Sequence, residues 1–364
     1  MAKRETGVYV ASSTAGETVR AFVPNPLPPR PPLTLDSASQ SLLTSAMSEI
    51  ARLDSTSHML PSPDLFIYAF VRKEAVLSSQ IEGVQATLVD LFTQGGGDTS
   101  TSADVREVCN YVDTLGFIRK QLSSSTGLPL SLRLFRAAHK HLMKGVRGQN
   151  KHPGEFRSSQ VWIGGTRPGN AVFVPPPPER IVPTLDSLEK YLHAENDTNP
   201  LIRAGLVHVQ FETIHPFLDG NGRLGRLLIT LLLEHWKVLS APTLYLSLYF
   251  KRHREEYYQR LNAVRTDGDW EGWNRFFLEG VRSIALEATD SAQRLYGQFE
   301  TDRRKLLDRT GSTLASVRLM ERLPTKPIVT IADAVRLLET TKPTATKAVL
   351  QLVDAGILKE TTGR

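Results

Sequence analysis

The sequence predicts a mainly α-helical protein with one small β element and a C-terminal helix-turn-helix unit that folds beside the main body. Three observations carry this expectation. Apolar residues recur at three- and four-residue spacing through most of the chain, as in Phe66, Phe70, Leu77 and Ile81 on one stripe. β-type runs are confined to Val161-Trp162-Ile163 and Ala171-Val172-Phe173-Val174, on either side of a turn rich in glycine and proline. Charge is also unevenly placed. The 44 Lys+Arg and 38 Asp+Glu give 44 − 38 = +6, yet residues 303–364 alone hold 12 against 6, so residues 1–302 balance at 32 against 32.

A chain of 364 residues, 40% hydrophobic and 23% charged, falls in the ordinary globular range and has room for two to three domains at about 150 residues each. The longest apolar stretch, 227–233, is interrupted by Thr230, far short of the roughly 18–20 residues that cross a bilayer, so no membrane partner is expected. Met1-Ala2-Lys3-Arg4 leads into Glu5-Thr6-Gly7 without an apolar run, which argues against a secretory signal. The single Cys109 makes neither an internal disulfide nor a cysteine metal cluster. These features predict a cytoplasmic protein. The basic tail has two readings, a polyanionic partner or a solvated face with none.

Taken in order, residues 1–32 form an extended segment, since six of the nine residues from Pro24 to Pro32 are proline. Residues 33–125 form an N-terminal helical region with helices over 35–50, 65–81 and 105–122, the second stopped by Gly83. Loops at Gly95-Gly96-Gly97-Asp98 and 123–127 punctuate it. Residues 126–300 form the core, with helices over 130–143, 185–193, 201–214 and 223–238, the hairpin at 161–174 and further helices to about 309. Asn199-Pro200 supplies a cap and a first-turn proline for the 201–214 helix. In 310–364, Thr330 caps a helix over 331–339 and Pro343 opens another to Ala355, with Ile357-Leu358-Lys359 expected as the first strand of a wing. No second strand follows before Arg364, so the wing is incomplete or the chain is cut short.

Chemistry concentrates in the twelve residues His215-Pro216-Phe217-Leu218-Asp219-Gly220-Asn221-Gly222-Arg223-Leu224-Gly225-Arg226, between two helices. Gly220 and Gly222 permit backbone conformations that aim successive N–H groups at one point, and the following helix N-terminus adds its partial positive charge. Arg223 and Arg226 sit on the first turn of that helix, where cations are unfavourable unless an anion offsets them. Asp219 offers a hard oxygen ligand for Mg²⁺ shared with phosphate oxygens. His215 is placed to take a proton from a nucleophile. Singly, each feature is ordinary, because a lone His is usually structural and a Gly-Asn-Gly is usually a turn. Together they read as phosphoryl or nucleotidyl transfer.

These residues resemble the Fic (filamentation induced by cAMP) family, whose signature HPFxxGNGRxxR is matched at every specified position by His215 through Arg226. Ser78-Ser79-Gln80-Ile81-Glu82-Gly83 is similar to the family's inhibitory motif [ST]xxxE[GN], and residues 157–178 to its flap. The resemblance implies a Fic-type helical core and a self-inhibited protein adenylyltransferase that moves AMP from ATP to a Ser, Thr or Tyr hydroxyl of a protein, itself among the candidates, with pyrophosphate leaving. His215 would deprotonate the acceptor, Asp219 would hold Mg²⁺, Asn221 and Arg223 would orient the α and β phosphates, and Arg226 would hold the γ phosphate. The Gly220 and Gly222 amides would stabilise developing charge.

Ser78, Glu82 and Gly83 would be inhibitory, with Glu82 on Arg226, the alternative being an exposed Glu before a Gly cap. Val161, Trp162, Ile163 and Gly164 would register an extended target segment by main-chain pairing, or the hairpin merely covers the core. Two rivals remain: another phosphate-containing transfer or AMP removal on the same scaffold, and a nucleotide-sensing regulator that binds DNA through the tail. Family members often form homodimers, which is analogy alone.

Overall fold

The computed structural model describes residues 4–59, 63–94, 102–195 and 197–361. The expected loop at Gly95-Gly96-Gly97-Asp98 and the side chain of Phe66 lie outside the described residues. Two strands open the chain, β1 (Gly7–Thr14) and β2 (Glu17–Pro24). Then come α1 (Ser37–Met59), α2 (Pro63–Ile81), α3 (Leu88–Gln94), α4 (Ala103–Ser123), α5 (Leu132–Leu142), α6 (Pro178–His193), α7 (Pro200–Ile214) and α8 (Asn221–His235). The order closes with α9 (Ser247–Arg252), α10 (Arg254–Asp267), α11 (Trp270–Leu307), α12 (Leu314–Arg322), α13 (Ile331–Leu338) and α14 (Lys342–Asp354).

Inside one large apolar core α7 and α8 pack on each other, α4 lies against α5 and α2, and α1 runs along α11. Every side chain of α7 from Ala204 to Ile214 is buried, which makes it the central helix. Asn199 caps it, its Oδ1 accepting from Leu201 N at 2.9 Å, with Pro200 at the first turn as the sequence indicates. The tail has its own core of Leu306, Leu319, Met320, Ala334, Ala345, Ala348 and Leu352.

The β structure differs from expectation in two places. Residues 161–174 make a single bridge, Ile163 to Phe173, rather than a ladder. Gly164 and Gly165 both take positive φ (69° and 73°) and the limb beyond Val174 is proline, so pairing cannot extend. The real hairpin is β1–β2, inside the segment expected to be simply extended. Ala15 and Gly16 turn it with positive φ (50° and 77°), the conformation of a tight two-residue hairpin turn. This hairpin leans on the flap: Phe22 N donates to Val174 O at 2.9 Å, Ser12 Oγ to Gln160 Oε1 at 3.0 Å, and Val19, Ala21 and Val174 share a small core.

The wing is the other departure. Among the described residues, 357–361 form no strand. The N–H groups of Ile357 and Leu358 instead return to Leu352 O at 2.9 and 3.1 Å, closing α14 behind Gly356 at φ 69°. The helix-turn-helix pair α13–α14 is present, and the segment expected to start the wing is a helix cap.

Candidate active site

The site is built where α7 ends and α8 begins. His215 caps α7 in the left-handed region (φ 49°, ψ 61°), its N–H bonded to Phe211 O at 2.9 Å. A non-glycine residue there is strained by roughly 1–3 kcal/mol, so surrounding bonds must hold it. Arg157 does so: Nε donates to His215 O at 2.9 Å and its own N–H donates to Pro216 O at 2.9 Å, while Nη1 holds Ser159 O at 3.0 Å. Through Arg157 the flap bearing Val161, Trp162, Ile163 and Gly164 is fastened to the loop.

Asn221 fixes the loop from the other end. Its Oδ1 accepts from Phe217 N at 2.9 Å and its Nδ2 donates to Phe217 O at 2.8 Å, so the amide expected to orient phosphates is here engaged by the backbone. The Phe217 ring stacks on His139 at 3.8 Å with a 4° interplanar angle. His139 Nδ1 accepts from Gly154 N at 2.9 Å, which makes Nε2 the protonated nitrogen that donates to Asp219 O at 2.9 Å. Burial pulls this imidazole down to about 4, consistent with that neutral form.

The turn into α8 needs its glycines. Gly220 has φ 75°, and a Cβ on it would stand 2.7 Å from Met143 Sδ. At Gly222 a Cβ would stand 2.3 Å from Glu82 Oε1. A carboxylate oxygen therefore already occupies the space before the first turn of α8, where free N–H groups and the helix dipole favour an anion.

That carboxylate belongs to Glu82, just past α2, whose end is closed by Gly83 at φ 91°. Arg226 donates from Nη2 to Glu82 Oε1 at 2.7 Å and to Ser78 O at 3.0 Å, and from Nε to Ser78 Oγ at 2.9 Å. Burial opposes ionisation of Glu82, but the Arg226 charge and hydrogen bond, with help from the Arg223 charge, hold its carboxyl below the usual range. Arg226 is raised above its ordinary value: burial opposes its charge, and Glu82 outweighs that. Arg223 pairs with Glu107 of α4 at 2.6 Å and lies 3.9 Å from Asp219 Oδ1.

Glu82, His215, Asp219, Gly220, Asn221, Gly222 and Arg223 line one cleft of about 370 Å³, joined by Arg147 and Lys151 on its rim. Asp219 Oδ1 accepts from Gly220 N at 2.7 Å, and its Oδ2 lies 3.5 Å from Lys151 Nζ. The imidazole of His215 is pushed down to about 3 by burial and by the Arg157 and Arg265 charges, against the opposing pull of Glu82 and the Glu212 carbonyl. It is a neutral ring and a weak base in this resting site. The structure thus brings together every residue expected at the phosphate and inhibitory sites, with Arg226 just behind the cleft.

Sequence reasoning missed Glu107, His139, Arg147, Lys151 and the bracing role of Arg157. Only Glu107 leaves a trace in sequence, as an acid beside Val105, Val108 and Tyr111 on the buried face of α4.

The helical core thus presents an anion cradle at a helix N-terminus, with a neutral histidine beside it and the chain's own glutamate inside it. The family is marked twice: the Fic/DOC family model matches residues 129–233 and the Fic/DOC N-terminal model residues 40–117. The chain belongs to the Fic/DOC family. It is 29% identical over 205 residues to a protein adenylyltransferase Fic of Drosophila grimshawi, covering 55% of this chain and 39% of that one. To the protein of the same description from Culex quinquefasciatus it is 34% identical over 128 residues, 35% of this chain and 23% of that one. The chain thus spans less than half the length of these curated relatives. Among solved structures, a Fic family protein from Desulfovibrio desulfuricans G20 superposes with a TM-score of 0.60 at 24% identity, covering 89% of this chain and 91% of that one. Residues 134–508 of Fic-1 from C. elegans give 0.51 at 21% identity, covering 73% and 74%. The expected mainly helical Fic-type fold is borne out.

No helix among the described residues is long and apolar enough to cross a membrane.

Proposed function

We propose that the protein is a self-inhibited protein adenylyltransferase that moves AMP from ATP to a hydroxyl of a protein. The observation that carries this reading is the Glu82 carboxylate against Gly222 and Arg226, an internal anion in the place a terminal phosphate would take. The acceptor oxygen attacks the α phosphorus, its proton passes to His215, the bond from that phosphorus to the bridging oxygen breaks, and pyrophosphate leaves. His215 is neutral in the resting protein, and nucleotide phosphates beside it would raise its basicity. Gly220 and Gly222 leave the α8 N-terminus open to the displaced charge. Arg226 holds the γ phosphate once Glu82 is away. Arg223, fixed by Glu107, supplies standing positive charge rather than a mobile grip.

Among the described residues no three His, Cys, Asp or Glu side chains gather to hold a metal by themselves. Asp219 fits Mg²⁺ of the shared kind and would hold it jointly with waters and phosphate oxygens. Lys151 at 3.5 Å balances that carboxylate in the free protein. The ion would neutralise phosphate charge. The cytoplasmic assignment belongs to the same reading and is supported by the single cysteine.

The test is incubation with Mg²⁺ and ATP labelled at the α or the γ phosphate, followed by intact mass of the protein. The α label should appear on protein, and His215→Ala should abolish its transfer while nucleotide binding persists. Transfer of the γ label instead would move the protein to phosphate transfer.

A second reading concerns the tail and rests on one observation: Lys342 and Lys347 stand exposed on the outward face of α14, the second helix of the helix-turn-helix. That placement suits DNA backbone contact. The check is a mobility shift of the full chain that weakens steeply with salt; no shift at low salt would remove it.

A further inference from the structure

Glu212 lies on α7 one turn before His215, is only 7% exposed, and plays no part in the mechanism above. Its Oε1 is buried with no hydrogen-bond partner among the described residues. The carboxyl fits against the bare Cα of Gly225, where a Cβ would stand 2.2 Å from Oε1. Gly225 directly precedes Arg226, so the notch that admits Glu212 opens beside the residue that Glu82 occupies.

The charged neighbours are few. Arg226 from α8 and Arg265 from α10 attract the carboxylate, and Glu82 repels it. Arg265 is committed elsewhere, with Nε on Thr213 Oγ1 at 3.1 Å and its guanidinium 3.9 Å over the Phe173 ring. Tyr257 and Tyr258 of α10 have phenols raised by burial and stay uncharged. His208 is locked between Gly225 O at 3.0 Å and the Tyr257 hydroxyl at 2.8 Å, and it and His215 are both neutral rings.

An unpartnered carboxyl in such surroundings is costly as an anion unless a guanidinium beside it lacks another counter-ion. We propose that Glu212 is a positioning residue, a second counter-ion for Arg226 that gives up its proton more readily once Glu82 leaves the guanidinium. The inference rests on the reading of Glu82 as the inhibitory residue. Departure of Glu82 then releases up to about half a proton from Glu212 to solvent, the most a one-unit shift allows, and arrival of a phosphate on Arg226 takes it back. Burial already lifts this carboxyl to about 7, with Arg226 lowering it and Glu82 raising it, so the exchange falls near neutral pH. The released state binds fewer protons, so rising pH favours release and falling pH holds the inhibited state.

Two measurements test it on the full chain. The first is carbon NMR of glutamate-labelled protein, with the Glu212 carboxyl identified by its loss in Glu212→Gln. Its titration midpoint should fall by about one unit in Glu82→Gly, the coupling expected of adjoining ionisable groups; an unmoved midpoint overturns the proposal. This readout needs no AMP transfer, so it stands apart from the activity assignment. The second is the rate ratio of Glu82→Gly to the native chain between pH 6 and 8.5. It should fall by up to about tenfold with Glu212 present, the limit set by a one-unit difference, and stay flat in the Glu212→Gln background. Equal slopes in both backgrounds would reduce Glu212 to a packing residue.

Discussion

Arg223 and Arg226 stand three residues apart on α8, and each meets a glutamate supplied by the N-terminal helical region. Both arginine side chains are 2% exposed. Glu107, the partner of Arg223, is 3% exposed at 2.6 Å, whereas Glu82, the partner of Arg226, is 34% exposed at 2.7 Å. Burial outweighs Arg223 and leaves the Glu107 carboxyl raised, while Arg226 overcomes burial and leaves that of Glu82 lowered. Similar pair distances thus serve opposite ends. One pair is closed on both sides and belongs to the framework; the other has a carboxylate at the cleft wall that water or a phosphate can replace.

Removing Glu107 should break this comparison most violently. Glu107→Ala takes from the buried Arg223 its close carboxylate and leaves only Asp219 at 3.9 Å, and breaking a buried pair typically costs about 3–5 kcal/mol. Its thermal midpoint should drop below that of Glu82→Gly, which removes a one-third-exposed carboxylate and leaves Arg226 its bonds to Ser78. Equal midpoints would mean that the two pairs do not differ in kind.

Glu82→Gly should instead act on rate. A charge-assisted bond is worth about 1.5–3 kcal/mol, with the lower end apt for a carboxylate one third exposed, so AMP transfer should rise by about one to two decades. Arg226→Ala should lower transfer by a similar factor, in the Glu82→Gly background too. α-label incorporation that stays flat in a folded Glu82→Gly chain would return 78–83 to an ordinary helix end.

The pH dependence of this pair has a definite sign. The folded pKa of Glu82 is depressed, so the ion pair is fully formed above the unfolded carboxylate value of about 4.3 and is lost only as pH falls through the lower folded value. Inhibition at pH 5 should therefore be undiminished. Relief there, measured as a shrinking gain from Glu82→Gly, would show that Glu82 is not held by Arg226.

The loop was legible because its chemistry is local: histidine, glycines and arginines fall within twelve residues, and two adjoining helix boundaries are marked by Asn199-Pro200 and Gly220. Glu82 was legible through its motif and its poor position at a helix end. The bonds of Asn221 to the Phe217 backbone were not legible, because an amide in a glycine-rich turn can face either a ligand or its own backbone, and sequence does not say which. Glu107 and His139 were hidden because their partners lie 116 and 80 positions away, at Arg223 and Asp219. The β1–β2 hairpin went unread because the prolines after it dominated the signal. The wing failed because Ile357 and Leu358, strand-like in type, close a helix instead.

The smallest effect should come from Arg147, which touches both sides of the comparison. Its Nη2 lies 3.4 Å from Glu82 O and 4.0 Å from Glu107 Oε1, on a side chain 64% exposed. Exposed pairs contribute about 0–1 kcal/mol, so Arg147→Ala should leave the thermal midpoint nearly unchanged, Glu107 keeping its buried partner. The bond to the Glu82 carbonyl holds the backbone of the inhibitory residue and not its carboxylate. Loosening it should raise basal transfer by no more than about fivefold, the rate equivalent of that same limit, and the gain should vanish in Glu82→Gly, where nothing remains to be held. A rim arginine that served the nucleotide instead would behave oppositely, with Arg147→Ala lowering transfer in both backgrounds and raising KM for ATP. Comparing the two backgrounds separates a latch on the inhibitory segment from a phosphate contact even when either single effect is small.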